Sequence, residues 1–238
     1  DIALSQEWSE AGFDILPFLP NDRYDVFYQG FVELFTRTLG KSGVDVPDGF
    51  TPDQYHKVVA HSYEQHLSVI GLTKLFDASE FPIDLTEVED RVSEVLGVKV
   101  KSIKPLNKER VFHLRVIRPQ AADYNPLHRD AWQDENRGAI NIYVPLCGSN
   151  EQSSLMLCPG SHLWPESDVV RSADGALMNE VQFNVPGLIE SRRELTLVKP
   201  NPGENEMLIF SPYTIHGLSA NQNMDKTRIS LEMRFWRV

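Results

Sequence analysis

The chain has 238 residues, 41% of them hydrophobic, which suits one hydrophobic core near the upper size limit of a single domain. With 23 basic against 34 acidic residues its net charge is −11, a surface that repels phosphate backbones and anionic membranes, so nucleic acid and membrane are excluded as general partners. Apolar runs are short, residues 1–10 carry no basic region followed by an apolar stretch, and Cys147 and Cys158 fit buried thiols, so no membrane span or signal peptide is expected and the expected location is the cytoplasm.

In chain order, "FDILPFLP" reads as a short strand. Residues 21–40 space Tyr24, Phe27, Tyr28, Phe31, Leu34 and Phe35 at intervals of three and four, an amphipathic helix with Gly40 as its C-cap. A second helix over 51–72 starts with Thr51 as N-cap and Pro52 at its first position, and a third over 84–97 ends on Gly97. From Val111 onward the period changes to two. "VFHLRVIRP", "AINIYVPL", "SSLMLCP", "ELTLVKP", "EMLIFSP" and "RISLEMRFW" are short strands separated by turns, as in an antiparallel sandwich or barrel. Helices first and strands afterwards make the fold α+β with a mainly β core. No repeat interrupts it, so residues 1–238 are expected to form one domain, helical over about 1–105 and β over about 106–238. The weakly patterned stretch 164–194 is expected to be an insertion or lid.

A mononuclear iron(II) oxygenase site uses two histidines and one carboxylate and leaves the other metal positions open. "NPLHRDAWQD" places His128 and Asp130 two residues apart, on the same side of an extended segment. "FSPYTIHGLSAN" supplies His216 as the third candidate, after a strand and a turn. His56, His61 and His66 fall on a helix, His113 in a strand and His162 in a turn, places that suit structural hydrogen bonding. In "RISLEMRF", Ile229, Leu231, Met233 and Phe235 share one face, and Arg228, Ser230, Glu232 and Arg234 the other. A polar face on a core strand is costly unless it lines a polar cavity; an edge strand with ion pairs is the alternative. A guanidinium with a hydroxyl two residues on can clamp a carboxylate.

Four segments, in order, carry a resemblance to a known family: "LHRD"; "INIYVPLCG" followed by "SSLMLCPGSH"; "GENEMLIFSPYTIHGLSAN"; and "RISLEMRF". Spanning 127–235, this half of the chain resembles the iron(II)/2-oxoglutarate dioxygenases of the phytanoyl-CoA dioxygenase type. The resemblance implies a double-stranded β-helix, a cupin-like jelly roll, with the N-terminal helices packed on its larger sheet. It implies His128, Asp130 and His216 as catalytic iron ligands and Arg228 as anchor for the distal carboxylate of 2-oxoglutarate, with Ser230 assisting. Dioxygen, 2-oxoglutarate and iron(II) would then hydroxylate a small-molecule substrate and release succinate and CO2. The carboxylate at Asp130 disfavours halogenation, which in related enzymes needs a small residue there.

Parity places Asn141 and Tyr143 opposite Ile140, Ile142, Val144 and Leu146, facing either the cavity, as donors to 2-oxoglutarate, or an outward polar surface. Arg115 is placed either on an anionic substrate group or on Glu232, and Arg129 and Trp132 near the mouth are further substrate candidates. The acidic balance argues against a highly anionic carrier such as coenzyme A unless Arg115, Arg118 and Arg129 form a basic patch. A cupin-like protein that binds another metal or ligand without oxygenase activity is the competing reading. Arg228 separates the two, because only a 2-oxoglutarate enzyme needs that clamp.

Overall fold

The last strand organises the molecule. In the computed structural model, which describes residues 1–109, 112–178 and 181–238, β10 (Arg228–Arg237) runs through a six-stranded antiparallel sheet. β4 (Ala139–Cys147) pairs along one side of it, while β3 (Phe112–Ile117) and the short β2 (Val100–Lys101) share the other. β9 (Glu206–Phe210) follows β4, and β1 (Phe13–Pro17) lies outermost. Val111, the first residue of the expected strand, lies outside the described residues.

Alternation then sorts the side chains. Ile229, Leu231, Met233 and Phe235 enter one large core with Ile140, Ile142, Val144, Leu114 and Val116. Helices α1 (Asn21–Lys41) and α4 (Leu85–Leu96) close that core with Phe27, Phe31, Phe35, Val88 and Val92. The opposite face packs Tyr143, Leu208 and Phe210 against Leu155 and Leu157 of a second layer. Two expected strands there, "SSLMLCP" and "ELTLVKP", shrink to isolated bridges: Leu157 bridges both Val198 and His216, and His216 bridges His128. Within 164–194 lie the small pairs β5 (Val169–Arg171) with β8 (Leu188–Ser191) and β6 (Ala176–Met178) with β7 (Val181–Phe183); residues 179 and 180 of that stretch lie outside the described residues. This insertion covers the second layer through Val169 and Leu188, which pack with Leu127, Cys158 and Ile215.

Helix boundaries differ from expectation in two places. α1 runs past Gly40 to Lys41, and the left-handed turn is taken by Gly43 (φ 69°), where the N–H of Val44 reaches the carbonyl of Leu39. The helix expected over 51–72 breaks into a 3-10 turn (Pro52–Gln54), a single turn α2 (Tyr55–Val58) and α3 (Tyr63–Leu72). Ser62 makes the break because its hydroxyl accepts from the N–H of Gln65 and so starts a new helix. His61 falls in the intervening turn and not on a helix. Thr51 caps no backbone N–H; its hydroxyl binds Asp53 instead. Both cysteines are free, Cys158 buried and Cys147 partly so. Among the described residues no helix is long and apolar enough to cross a membrane.

Candidate active site

His128 and His216 sit opposite each other in an antiparallel bridge, exchanging both backbone hydrogen bonds at 2.9 Å. Residues paired this way project their side chains to the same face, and the two imidazole rings lie with centroids 4.3 Å apart. Gly217 makes the approach possible. At φ 132° it lies against the 126–128 segment, where a Cβ would collide with the carbonyl of Pro126. Arg129 is extended and Asp130 opens a short 3-10 turn, so Asp130 returns to the side of His128 while Arg129 points the other way.

The protons on the two rings are fixed by their neighbours. His128 Nδ1 donates to the carbonyl of Pro126 (2.8 Å) and His216 Nδ1 to that of Thr214 (2.9 Å). A carbonyl only accepts, so each Nδ1 carries the hydrogen and each Nε2 keeps a free lone pair. Burial and the neighbouring His128 push His216 down to about 4, which keeps it neutral and able to bind metal at neutral pH. Both lone pairs face one oxygen: Asp130 Oδ1 is 3.4 Å from His128 Nε2 and 3.9 Å from His216 Nε2. The other carboxylate oxygen is occupied. Oδ2 accepts from Arg234 Nε (2.9 Å), Arg234 Nη2 (2.8 Å) and Asn141 Nδ2 (3.0 Å). Burial alone would raise the Asp130 pKa, but the Arg234 guanidinium bound to Oδ2 holds it well below the usual carboxylate range. The three donor atoms lie within 4.8 Å of one another, all buried, the one such group among the described residues. Two neutral imidazole nitrogens and one carboxylate oxygen, each oriented by a second bond, fit an iron(II) ion.

These residues end a cavity of about 170 Å³ between the sheet and the second layer. Arg115, Asn141, Tyr143, Arg228, Glu232 and Arg234 also line it, so the polar face of β10 and the parity-assigned pair on β4 do face a cavity. Arg228 is 2% exposed and has no carboxylate partner among the described residues. Its Nη1 donates to the carbonyl of Ser153 (2.6 Å), its Cζ lies over the Tyr143 ring at 5.9 Å from the centroid, and its Nε has no partner among the described residues. Ser230 Oγ and Asn141 Oδ1 are likewise buried and unpartnered, so three of the six such atoms among the described residues belong to this side of the sheet. Buried polar groups in want of partners are costly unless a ligand completes them.

Other candidates are placed differently. Tyr143 spends its hydroxyl on Ser149 Oγ (2.9 Å). Arg115 does pair with Glu232 (3.1 Å) and also reaches Asn125 Oδ1 (3.2 Å). Arg129 and Trp132, expected at the mouth, are not among the cavity's described lining. Arg129 binds Glu166 and the carbonyls of Ser161 and Trp164, and Trp132 Nε1 also donates to Glu166, so together they fasten the 161–166 turn. Arg115, Arg118 and Arg129 form no basic patch, each being tied to its own carboxylate, Glu232, Asp123 and Glu166. The partner of Asp130, Arg234, was legible only as a member of the polar face of "RISLEMRF".

With the geometry in place, the comparisons decide the family. The family model described as phytanoyl-CoA dioxygenase matches residues 51–230. The chain belongs to the phytanoyl-CoA dioxygenase family. Its fold is of that type, a mainly β core with a few helices, consistent with a cupin-like jelly roll. As a member it is a non-haem iron and 2-oxoglutarate-dependent dioxygenase, with iron(II), 2-oxoglutarate and dioxygen as its cofactor and cosubstrates. The cupin-like reading without oxygenase activity falls with this match. Comparison with curated proteins yields no match. Among solved structures, the chain is similar to the non-heme alpha ketoglutarate dependent carbocyclase SnoK from nogalamycin biosynthesis, at 15% identity and a TM-score of 0.54, covering 99% of this chain and 85% of that one. It is similar to EvdO2 from Micromonospora carbonacea var. aurantiaca complexed with 2-oxoglutarate at 16% identity and a TM-score of 0.52, covering 98% and 89%. The epimerase SnoN in complex with Fe3+, alpha ketoglutarate and nogalamycin RO is similar at 13% identity and a TM-score of 0.54, covering 99% and 82%. These likenesses show the shared fold of the family.

Proposed function

We propose that this dioxygenase hydroxylates a small-molecule substrate, with His128, Asp130 and His216 holding the iron and Arg228 holding 2-oxoglutarate. The observation that carries the reading is the convergence of two free Nε2 lone pairs and one free carboxylate oxygen, every other polar atom of those three side chains being already bonded. Iron(II) held by His128, Asp130 and His216 would activate dioxygen, the oxidant, so that one oxygen atom goes into succinate as 2-oxoglutarate loses CO2 and the other into the substrate C–H bond.

The protein's own groups do the positioning. Arg228 offers Nε and its remaining N–H donors to the distal carboxylate, Ser230 Oγ adds one more, and the Tyr143 ring supports the guanidinium plane. Asn141 serves Asp130 directly, and 2-oxoglutarate only by holding that carboxylate still. The six-stranded sheet and the bridged layer are the two sheets of a double-stranded β-helix, residues 1–238 form one domain, and free thiols suit a reducing cytoplasm. A substrate screen that follows 2-oxoglutarate-dependent succinate release under labelled dioxygen tests the outcome. Hydroxylation puts one labelled oxygen in the product. An epimerised or desaturated product without label would overturn it.

A further inference from the structure

The cavity carries more positive than negative charge, in a protein whose overall charge is −11. Its described lining holds three guanidinium groups, Arg115, Arg228 and Arg234, against two carboxylates, Asp130 and Glu232. His113, beside Glu232, does not restore the balance. It is held neutral by burial, its pKa pushed down despite its hydrogen bond to Glu232. Adding an iron dication and a 2-oxoglutarate dianion, as the proposed function requires, leaves the surplus of one positive charge unchanged.

The surplus has a position. From the metal end outward the charges alternate. Asp130 binds Arg234 at 2.8 Å, Glu232 follows two residues before Arg234 on the same face of β10, and Arg115 binds Glu232 at 3.1 Å. The alternation ends on a cation. Arg115 uses three N–H donors, two on Glu232 and one on Asn125 Oδ1, of the five a guanidinium offers. Lys74 adds a second cation at the same end. It follows Thr73, whose carbonyl accepts from the N–H of Leu114, the neighbour of Arg115. Partial desolvation and the nearby Arg115 push the pKa of Lys74 down, with Glu232 acting the other way, so Lys74 lies close enough to feel both members of the Arg115–Glu232 pair.

We propose that the substrate carries a compact anionic oxygen group, a carboxylate or phosphate ester, which docks on Arg115 with Asn125 and Lys74 and so completes the charge alternation. This rests on the proposed placement of iron and 2-oxoglutarate in the same cavity. A polyanionic carrier is not what the site fits, because Arg118 and Arg129 are committed to Asp123 and Glu166. Arg115 is therefore a specificity-determining residue, separate from the Arg228 clamp.

The test uses protein loaded with iron(II) and 2-oxoglutarate without oxygen, whose visible charge-transfer band reports the metal site. Hexanoate, hexyl phosphate, hexylamine and hexanamide are titrated in turn, and the half-saturating concentration for shifting the band is read. The two anions are expected to act at concentrations at least about tenfold below those of the amide and amine, the span of one charge-assisted hydrogen bond. The tighter of the two tells carboxylate from phosphate. Arg115→Gln should raise the anion requirement about tenfold and leave the band itself intact, and Lys74→Met, at an exposed position with little risk to folding, should raise it about threefold. Equal action by the amide or amine, no response to any probe, or unaltered anion binding in both variants overturns the inference. A missing band with iron bound would instead remove the underlying function, and the inference with it.

Discussion

On the helix-covered side of the sheet, β10 presents Ile229, Leu231, Met233 and Phe235, each no more than 1% exposed and packed against apolar neighbours. On the other side the same strand presents Arg228, Ser230, Glu232 and Arg234, three of which line the cavity. Arg228 and Ser230 are as buried as the apolar set and Glu232 and Arg234 largely so, yet among the described residues of β10 only this second side leaves buried polar atoms without partners, at Arg228 Nε and Ser230 Oγ. The apolar side is complete within the chain, and its worth lies in area removed from water. The polar side is completed by what binds there, and its groups, costly in an empty protein, are assets once a metal and a dianion arrive.

Substitutions on each side should therefore separate stability from activity. The largest expected effect is His216→Ala, which should abolish 2-oxoglutarate-dependent succinate formation while moving the melting temperature only slightly; retained turnover would remove His216 from the ligand set. Phe235→Ala, on the other side, should cost about 3–5 kcal/mol in denaturant unfolding because it opens a cavity in a filled core, and a loss below about 1 kcal/mol would mean that this core tolerates gaps. Arg228→Ala should raise the 2-oxoglutarate concentration for half-maximal turnover about ten- to a hundredfold, the value of hydrogen bonds to a charged group. Arg234 cannot easily replace it, being committed to Asp130.

A smaller effect is expected where the two sides meet. Asp123 binds Arg118 at 2.8 Å and His66 at 3.4 Å, and His66 binds the Tyr55 hydroxyl at 2.8 Å, so α2 and α3 are tied to the segment that leads into cavity-lining Tyr124 and Asn125. Burial works to raise the Asp123 pKa, but Arg118 and His66 hold it well below the usual carboxylate range. A carboxylate depressed in the folded state contributes stability above its unfolded pKa of about 4, and that stability is lost as pH falls through the lower folded value. Asp123→Asn should therefore cost about 2 kcal/mol at neutral pH and flatten the acid limb of the stability curve. An unchanged acid limb would assign that limb to other groups.

Much of this contrast was legible in the sequence because a strand's side-chain period is two. That rule alone sorts the two faces of β10 and sets Asn141 and Tyr143 opposite the apolar face of β4, while the structure is what turns that opposite face to a cavity and not to an outward surface. The same rule, applied one residue further, would have turned Arg129 away from His128 and Asp130, and the structure does so. What the sequence hid were contacts made across strands. Arg234 meets Asp130 only because β10 pairs β4 with Arg234 opposite Asn141, a register that no local pattern encodes. The break at Ser62 was hidden because a serine inside an apolar-periodic run reads as a tolerated helix residue until its hydroxyl is seen capping Gln65. The second layer is less regular than its sequence implies, because "SSLMLCP" and "ELTLVKP" have strand composition but meet only at single bridges.

The account stands on iron and 2-oxoglutarate meeting on the polar side of the sheet. Anaerobic addition of iron(II) and then 2-oxoglutarate, followed by visible absorption, tests it most directly. The wild type should develop a metal-to-ligand charge-transfer band, His216→Ala should develop none, and Arg228→Ala should develop it only at higher 2-oxoglutarate. Iron shown to be bound to the wild type with no such band would contradict the account.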